Sequence, residues 1–223
     1  RMCIPDGAQT TLLPGLLRRI RNSAPLVRFE ALPLDKNTPR LLENGDADLA
    51  FGGFVPVMVS GFYEQTLFEQ GYICLVSAQH PRIRERLTIE DFEREAHVAF
   101  GYGRSFEVIE SEMKQRKVGR RVMVYLPGVL GVAKIVASTD MITTLPGQIG
   151  MMMGRSSGAI RVFPCPVPLP NVVVKQFWHA RFHHDSGHQW LRNICADEAR
   201  SGMKRLLEGL DEDIPGFRDA PIE

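Results

Sequence analysis

The sequence predicts an α/β protein made of two Rossmann-like subdomains joined by two hinge crossings, and three observations carry that prediction. One order of elements, strand–helix–strand–helix–strand, occurs twice along the 223 residues. Three extended stretches without helical periodicity, 62–68, 72–77 and 172–182, are placed to carry the chain from the first copy to the second and back. Hydrophobic residues at 44% and charged residues at 24% suit a packed core, and no apolar run approaches the roughly 18 residues of a membrane span.

In the first copy, 1–4 reads as a strand and 5–10 as a loop. A helix follows over 11–23, with Leu13, Leu16, Leu17 and Ile20 at helical spacing. Pro14 is tolerated there because it lies in the first turn, and Pro25 closes the helix. Residues 27–34 alternate as a strand, 38–44 form a short helix ended by Gly45, and 48–52 is a short buried strand. The second copy runs from a strand at 96–100 through a loop at 101–104 to a helix at 105–117, apolar at Phe106, Ile109 and Met113. A strand at 120–126, a helix at 128–137, a strand at 141–145 and a further helix near Gln148 complete it. Two small, mostly parallel sheets wrapped by helices are therefore expected.

Pro164, Pro166, Pro168 and Pro170 make an extended spacer before the return strand. Asp185 caps a helix carrying Trp190, Leu191, Ile194 and Cys195. The expected division is 1–74 with 175–210, then 75–174, with 211–223 a loosely attached acidic tail. Two crossings make a hinge, and a hinge between two α/β lobes makes a cleft.

In open α/β sheets ligands bind beyond the carboxyl ends of the strands, where loops enter helix N-termini. Three such junctions are expected to face the cleft: 5–11, 100–105 and 127–129. Each offers backbone N–H groups at the positive end of a helix, which suits a carboxylate or nitro group. Thr10 and Thr11 add hydroxyls, Arg104 a forked cation before Ser105, and Phe100 and Tyr102 an aromatic wall around Gly101. The plainer reading is that Gly-x-Gly is only a turn and Thr only a cap.

Other chemistry finds little support. His179, His183, His184 and His188 crowd one another, but Asp185 at a helix start makes that run capped helix entry with solvated imidazoles rather than a metal site. No nucleophile elbow, phosphate loop or His-Glu-x-x-His motif is present, so no catalytic residues, metal or cofactor are expected. Cys3, Cys74, Cys165 and Cys195 lack metal or Cys-x-x-Cys spacing and read as reduced thiols of a cytoplasmic protein, with a redox pair the lesser alternative. The net charge of +1 offers no field for gripping DNA. No secretory signal pattern opens the chain, and its early entry into a strand suggests a piece of a longer protein.

The run Leu12-Leu13-Pro14-Gly15-Leu16-Leu17, followed by Leu41-Leu42-Glu43-Asn44-Gly45-Asp46-Ala47-Asp48-Leu49-Ala50, resembles the opening of LysR-type effector domains. Leu67-Phe68, Cys74-Leu75-Val76, His80-Pro81 and Leu87-Thr88-Ile89-Glu90-Asp91-Phe92 are similar to that family's hinge and second lobe. Phe177-Trp178-His179-Ala180-Arg181, with Asp185, Gly187 and Trp190-Leu191-Arg192, resembles the branch of salicylate, nitrotoluene and nodulation regulators. The resemblance covers residue 1 to about residue 199. It implies a fold like type II periplasmic binding proteins, with a small aromatic acid or phenol between the lobes. It also implies an absent N-terminal winged helix-turn-helix that alone touches DNA, pairing of this domain into homodimers through helix 11–23, and tetramers of the full protein. By position the family's pocket falls on Asp6, Thr10, Thr11, Gln70, Phe100, Arg104, Ser105, Pro127, Gly128 and Gln148. Thr11, Gln70 and Gln148 stand where related sensors often carry aromatic, His or Arg groups, so the inducer's identity does not carry over. The alternative from the same fold is a periplasmic solute-binding protein.

Overall fold

A computed structural model describes residues 1–53, 60–101 and 104–208. Over the described residues the chain divides into two compact units, Arg1–Glu69 with 172–208, and Gln70–Asn171. The crossings thus fall at Glu69/Gln70 and Asn171/Val172 rather than at 74/75 and 174/175. The tail expected over 211–223 lies outside the described residues.

The first unit opens with β1 (Met2–Cys3), α1 (Asp6–Thr11), α2 (Leu13–Ser23), β2 (Ala31–Leu32), α3 (Thr38–Asn44) and β3 (Leu49–Gly52). It also holds β4 (Phe62–Gln70), whose last residue belongs to the second unit. The second unit continues with β5 (Tyr72–Ser77), α4 (Ile89–Arg94), β6 (Ala96–Phe100), α5 (Arg104–Gln115), β7 (Arg121–Leu126), α6 (Val132–Ala137), β8 (Ile142–Pro146), α7 (Gly147–Arg155) and β9 (Ile160–Pro164). The chain then returns to the first unit as β10 (Val172–His179), a 3-10 turn (Ala180–Phe182) and α8 (Ser186–Glu208).

Each unit is built on a five-stranded sheet, in the orders β2-β1-β3-β10-β4 and β7-β6-β8-β5-β9. The sheets are mixed, not mostly parallel. β1 runs parallel to β2 and β3, and β6 to β7 and β8, as crossover helices require. β10 is antiparallel to β3, and β5 antiparallel to both β8 and β9. The antiparallel strands include the stretches that change units; they enter a sheet without a crossover helix, so nothing holds them parallel. In the first unit Cys3, Leu42, Ala47, Ala50 and Phe177 are buried together, with Leu32, Leu34, Leu41 and Phe62 packed around them. In the second, Ile73, Leu75, Phe92, Val98, Ile142 and Leu145 are fully shielded from solvent.

Four local expectations are corrected. The segment read as a loop at 5–10 is α1, and helical backbone continues to Ser23 with a break at Leu12. Pro14 explains the break: it has no N–H for the Thr10 carbonyl, and its ring crowds that position. The strand expected over 27–34 shrinks to β2, an edge strand ended by Pro33, which cannot donate to a ladder. The helix expected from residue 128 begins at Val132, because Pro127-Gly128 favours a turn and Gly131 takes the cap. β9, unforeseen, is a short edge strand hidden between a Ser/Gly-rich turn and the proline spacer. Elsewhere local chemistry decides as expected: Gly45 ends α3 at φ 81°, its N–H reaching the Leu41 and Leu42 carbonyls.

Candidate functional site

In the first unit the expected contacts Asp6, Thr10 and Thr11 all lie on α1. Asp6 Oδ1 accepts the Gly7 N–H at 2.8 Å, and the Ala8 and Gln9 N–H groups both donate to the Pro5 carbonyl. Thr10 Oγ1 donates to the Gly7 carbonyl at 2.7 Å, with Thr11 Oγ1 at 3.5 Å from the same oxygen. The N–H groups of Gly7, Ala8 and Gln9, expected to be open, are therefore engaged within the first turn. Both hydroxyl hydrogens are directed at that carbonyl, which leaves the oxygens' lone pairs as acceptors.

In the second unit Gln70 and Gln148, far apart in sequence, come together. The buried Gln70 side chain accepts the Gln148 N–H at 2.8 Å, while the Gly147 N–H donates to the Gly71 carbonyl. Gln70 thus supplies from the β4–β5 corner the cap that α7 lacks at its own N-cap, Pro146. Two residues on, Tyr72 is 7% exposed and its hydroxyl has no hydrogen-bond partner. Sequence reasoning missed Tyr72, because in a strand it reads as ordinary core.

Phe100 ends β6 half-buried, and Gly101 follows at φ 80°, a left-handed conformation that favours glycine, with its N–H on the Leu126 carbonyl. Arg104 and Ser105 are the first two residues of α5. Tyr102 lies outside the described residues, as do the side chains of Arg104 and Ser105. Pro127 is exposed and Gly128 half-buried in the turn after β7. The helix N-terminus expected there is displaced to Val132, whose N–H already donates to the Val129 carbonyl. Of the three junctions, only that at α5 joins a strand end directly to a long helix.

His188 is buried and tied into the first unit, His179 and His183 are half-buried against neighbours, and His184 is exposed, as expected of a solvated imidazole. Asp185 Oδ1 accepts the His188 N–H and caps α8. His188 Nε2 donates to the Asp48 carbonyl at 2.6 Å, and its Nδ1 accepts from Arg192, whose guanidinium lies 4.4 Å from the Trp178 ring centre. His183 stacks on Tyr63 at 3.9 Å, and His179 Nδ1 accepts from Arg181. Burial, followed by the charge of Arg192, holds the His188 pKa below its ordinary value.

Two mixed-sheet α/β units, with two chain crossings and strand ends running into helices, define an architecture of the periplasmic-binding-protein kind. The chain belongs to the LysR substrate binding domain family, whose profile matches residues 1–200. It is 26% identical to the transcriptional activator NagR of a Ralstonia species and 29% to the activator NahR of Pseudomonas putida, over 88% of this chain in each case. It is 30% identical to the regulator SyrM of Rhizobium meliloti over 89% of its length. The chain spans 65% of NagR and of NahR and 61% of SyrM, less than two thirds of each. Among solved structures, the regulatory domain of MexT from Pseudomonas aeruginosa superposes with a TM-score of 0.78 at 21% identity, covering 88% of this chain and 98% of that one. A Vibrio parahaemolyticus protein does so with 0.80 at 26%, covering 93% and 95%. NagR and NahR are transcriptional activators and SyrM is a transcriptional regulator.

Proposed function

We propose that this domain senses a small aromatic carboxylate or phenol in the cytoplasm and passes the signal to a winged helix-turn-helix elsewhere in the full-length protein. The role is sensing, not catalysis, in line with relatives that are activators and regulators. No helix among the described residues is long and apolar enough to cross a membrane. The effector's anionic group is assigned to the start of α5. The observation that carries this is the junction itself: β6 ends at Phe100, Gly101 turns the chain at φ 80°, and Arg104 opens a 12-residue helix. A helix N-terminus and a guanidinium in one turn answer a carboxylate's need for charge and donors when it leaves water. Asp6, Thr10, Thr11, Gln70, Tyr102, Ser105, Pro127, Gly128 and Gln148 are the other proposed contacts. The domain acts as a homodimer, and the full-length protein as a tetramer touching DNA through its N-terminal part.

Calorimetry with a matched aromatic acid and amide tests the assignment. Arg104→Ala should weaken the acid by about 1.5–3 kcal/mol, the range for a hydrogen bond to a charged group, and leave the amide nearly unchanged. Equal losses for both ligands, or none for either, would remove Arg104 from the site.

A further inference from the structure

We propose that His183 is a proton-dependent fastener: neutral, it holds Tyr63 of β4 and Trp178 of β10 together, and on protonation it releases them. β4 and β10 are neighbours in the first sheet, and they are the two strands that carry the chain to and from the second unit. Their side chains meet in succession. Lys175 Nζ donates to Glu64 at 2.6 Å, Gln176 Nε2 donates to Gln65 Oε1 at 2.6 Å, and His179 meets Phe62 edge-on at 5.2 Å. Among these contacts the Tyr63 and Trp178 rings lie 5.9 Å apart, with 15° between their planes.

His183 closes that pair from the end of the 3-10 turn before α8. Its ring stacks on Tyr63 at 3.9 Å between centres and lies 7° from the plane of Trp178. Its Nδ1 accepts the Trp178 indole N–H at 3.4 Å. One imidazole therefore touches both strands. The His183 backbone is held, its N–H donating to the Ala180 carbonyl and its carbonyl accepting from Gln189 and Arg192. Only the ring is left to respond.

An Nδ1 that accepts carries the lone pair, so the single proton of the neutral ring sits on Nε2. A second proton goes to Nδ1, where it faces the Trp178 N–H, donor against donor. Trp178 is buried, so losing that acceptor strands a donor away from water. The Tyr63 face can receive an imidazolium, but it offers no acceptor for the indole. Trp178 already carries the Arg192 guanidinium 4.4 Å from its ring centre. The groups around His183 add to the effect. His184 stands edge-on at 4.8 Å, and the Arg192 cation binds the His183 carbonyl. On β10, His179 accepts from Arg181; the nearby acids are tied elsewhere, Glu64 of β4 to Lys175 and Asp185 to the His188 N–H. Desolvation, then His184 and Arg192, hold the His183 pKa below its ordinary 6.5. The fastener is thus closed above pH 6.5 and opens as pH falls below it.

Nuclear magnetic resonance of the 223-residue chain from pH 8 to pH 5, read on the peaks of the folded state, tests the proposal. Trp190→Phe leaves a single indole N–H and so identifies that of Trp178. The Trp178 indole peak should move with one midpoint below pH 6.5, and the His183 ring should titrate at that same midpoint. The amides of residues 62–65, corrected for the pH dependence of intrinsic exchange, should lose protection over the same range. In His183→Gln, which has no proton to gain there, the Trp178 peak should stay in place. A Trp178 peak that does not move in the unaltered chain, or moves as far in His183→Gln, overturns the proposal. A His183 midpoint at or above 6.5, or unchanged protection of 62–65, overturns it as well. Should His183→Gln fail to fold, the shared or separate midpoints of His183 and Trp178 in the unaltered chain still decide.

Discussion

His97 shows how far one residue's environment departs from its sequence. It is fully buried, with Nε2 donating to the Phe92 carbonyl at 2.7 Å and Nδ1 facing Arg120 Nε at 3.4 Å. Burial first, and then the charges of Arg120 and Arg121, take its pKa from 6.5 to about 4. The sign follows directly. Above pH 6.5 the ring is neutral folded or unfolded; as pH falls from 6.5 towards 4 only the unfolded chain takes the proton, so folding loses stability. At pH 5 the loss is about 2 kcal/mol from this residue alone. His188, also lowered, adds a loss of the same sign. Asp91, Glu95 and Asp140 are lowered too, but they give up their contribution only as pH falls below the ordinary carboxylate range. Urea melts at pH 7 and pH 5 should show the decline, and His97→Gln should remove most of it. An unchanged pH dependence in the variant would show that His97 does not carry it.

At the scale of elements, the contact of α2 with α8 turns on a missing side chain. A Cβ on Gly15 would come within 1.9 Å of Glu198 Oε1 and 2.4 Å of its Cδ. That carboxylate cannot swing aside cheaply: it is buried and held by Arg19 Nε on one oxygen and Arg205 Nη2 on the other. Alanine gains about 1 kcal/mol of helix propensity over glycine, while overpacking costs about 1–3 kcal/mol and strains a buried ion pair. Gly15→Ala is therefore expected to lower stability by up to about 2 kcal/mol by chemical denaturation, the net of those opposing terms. A stabilised variant would mean that α8 yields without cost.

For the whole molecule, charge and exposed apolar surface make two predictions. Twenty-seven basic against 26 acidic residues leave a net charge of +1, too little to release many counterions from a duplex. The chain should give no specific gel shift with operator DNA at physiological salt; a shift that survives that salt contradicts the prediction. Leu17 and Val27 in the first unit, and Met123 and Tyr125 on the edge strand β7 of the second, are exposed apolar groups of the kind that pairing covers. Sedimentation at micromolar protein is expected to report a dimer, and a lone 25.0 kDa species at every concentration would refute it.

The sequence by itself determined the α3 stop at Gly45 and the Asp185 cap, which rest on neighbours within a few residues, and the repeated order of elements and the family, which rest on a succession of such local patterns along the chain. It could not determine α1, β9 or the direction of the crossing strands. Pro5 before a polar run looks the same at the start of a loop or a helix, and strand direction is set by partners far along the chain. Of the three expected junctions, the strand-to-helix step into α5 was legible, whereas the 5–11 loop is a helix and the helix expected at 128 starts at Val132. The pairing of Gln70 with Gln148 was not legible, since 78 positions separate them and only β5 beside β8 brings them within a hydrogen bond. The placing of Cys74 and Cys165 on one face of the sheet is likewise a product of register. A one-residue slip of β9 would turn Cys165 to the other face. Local chemistry chooses the elements; the tertiary fold alone decides which distant side chains share a face, a hydrogen bond or a charge.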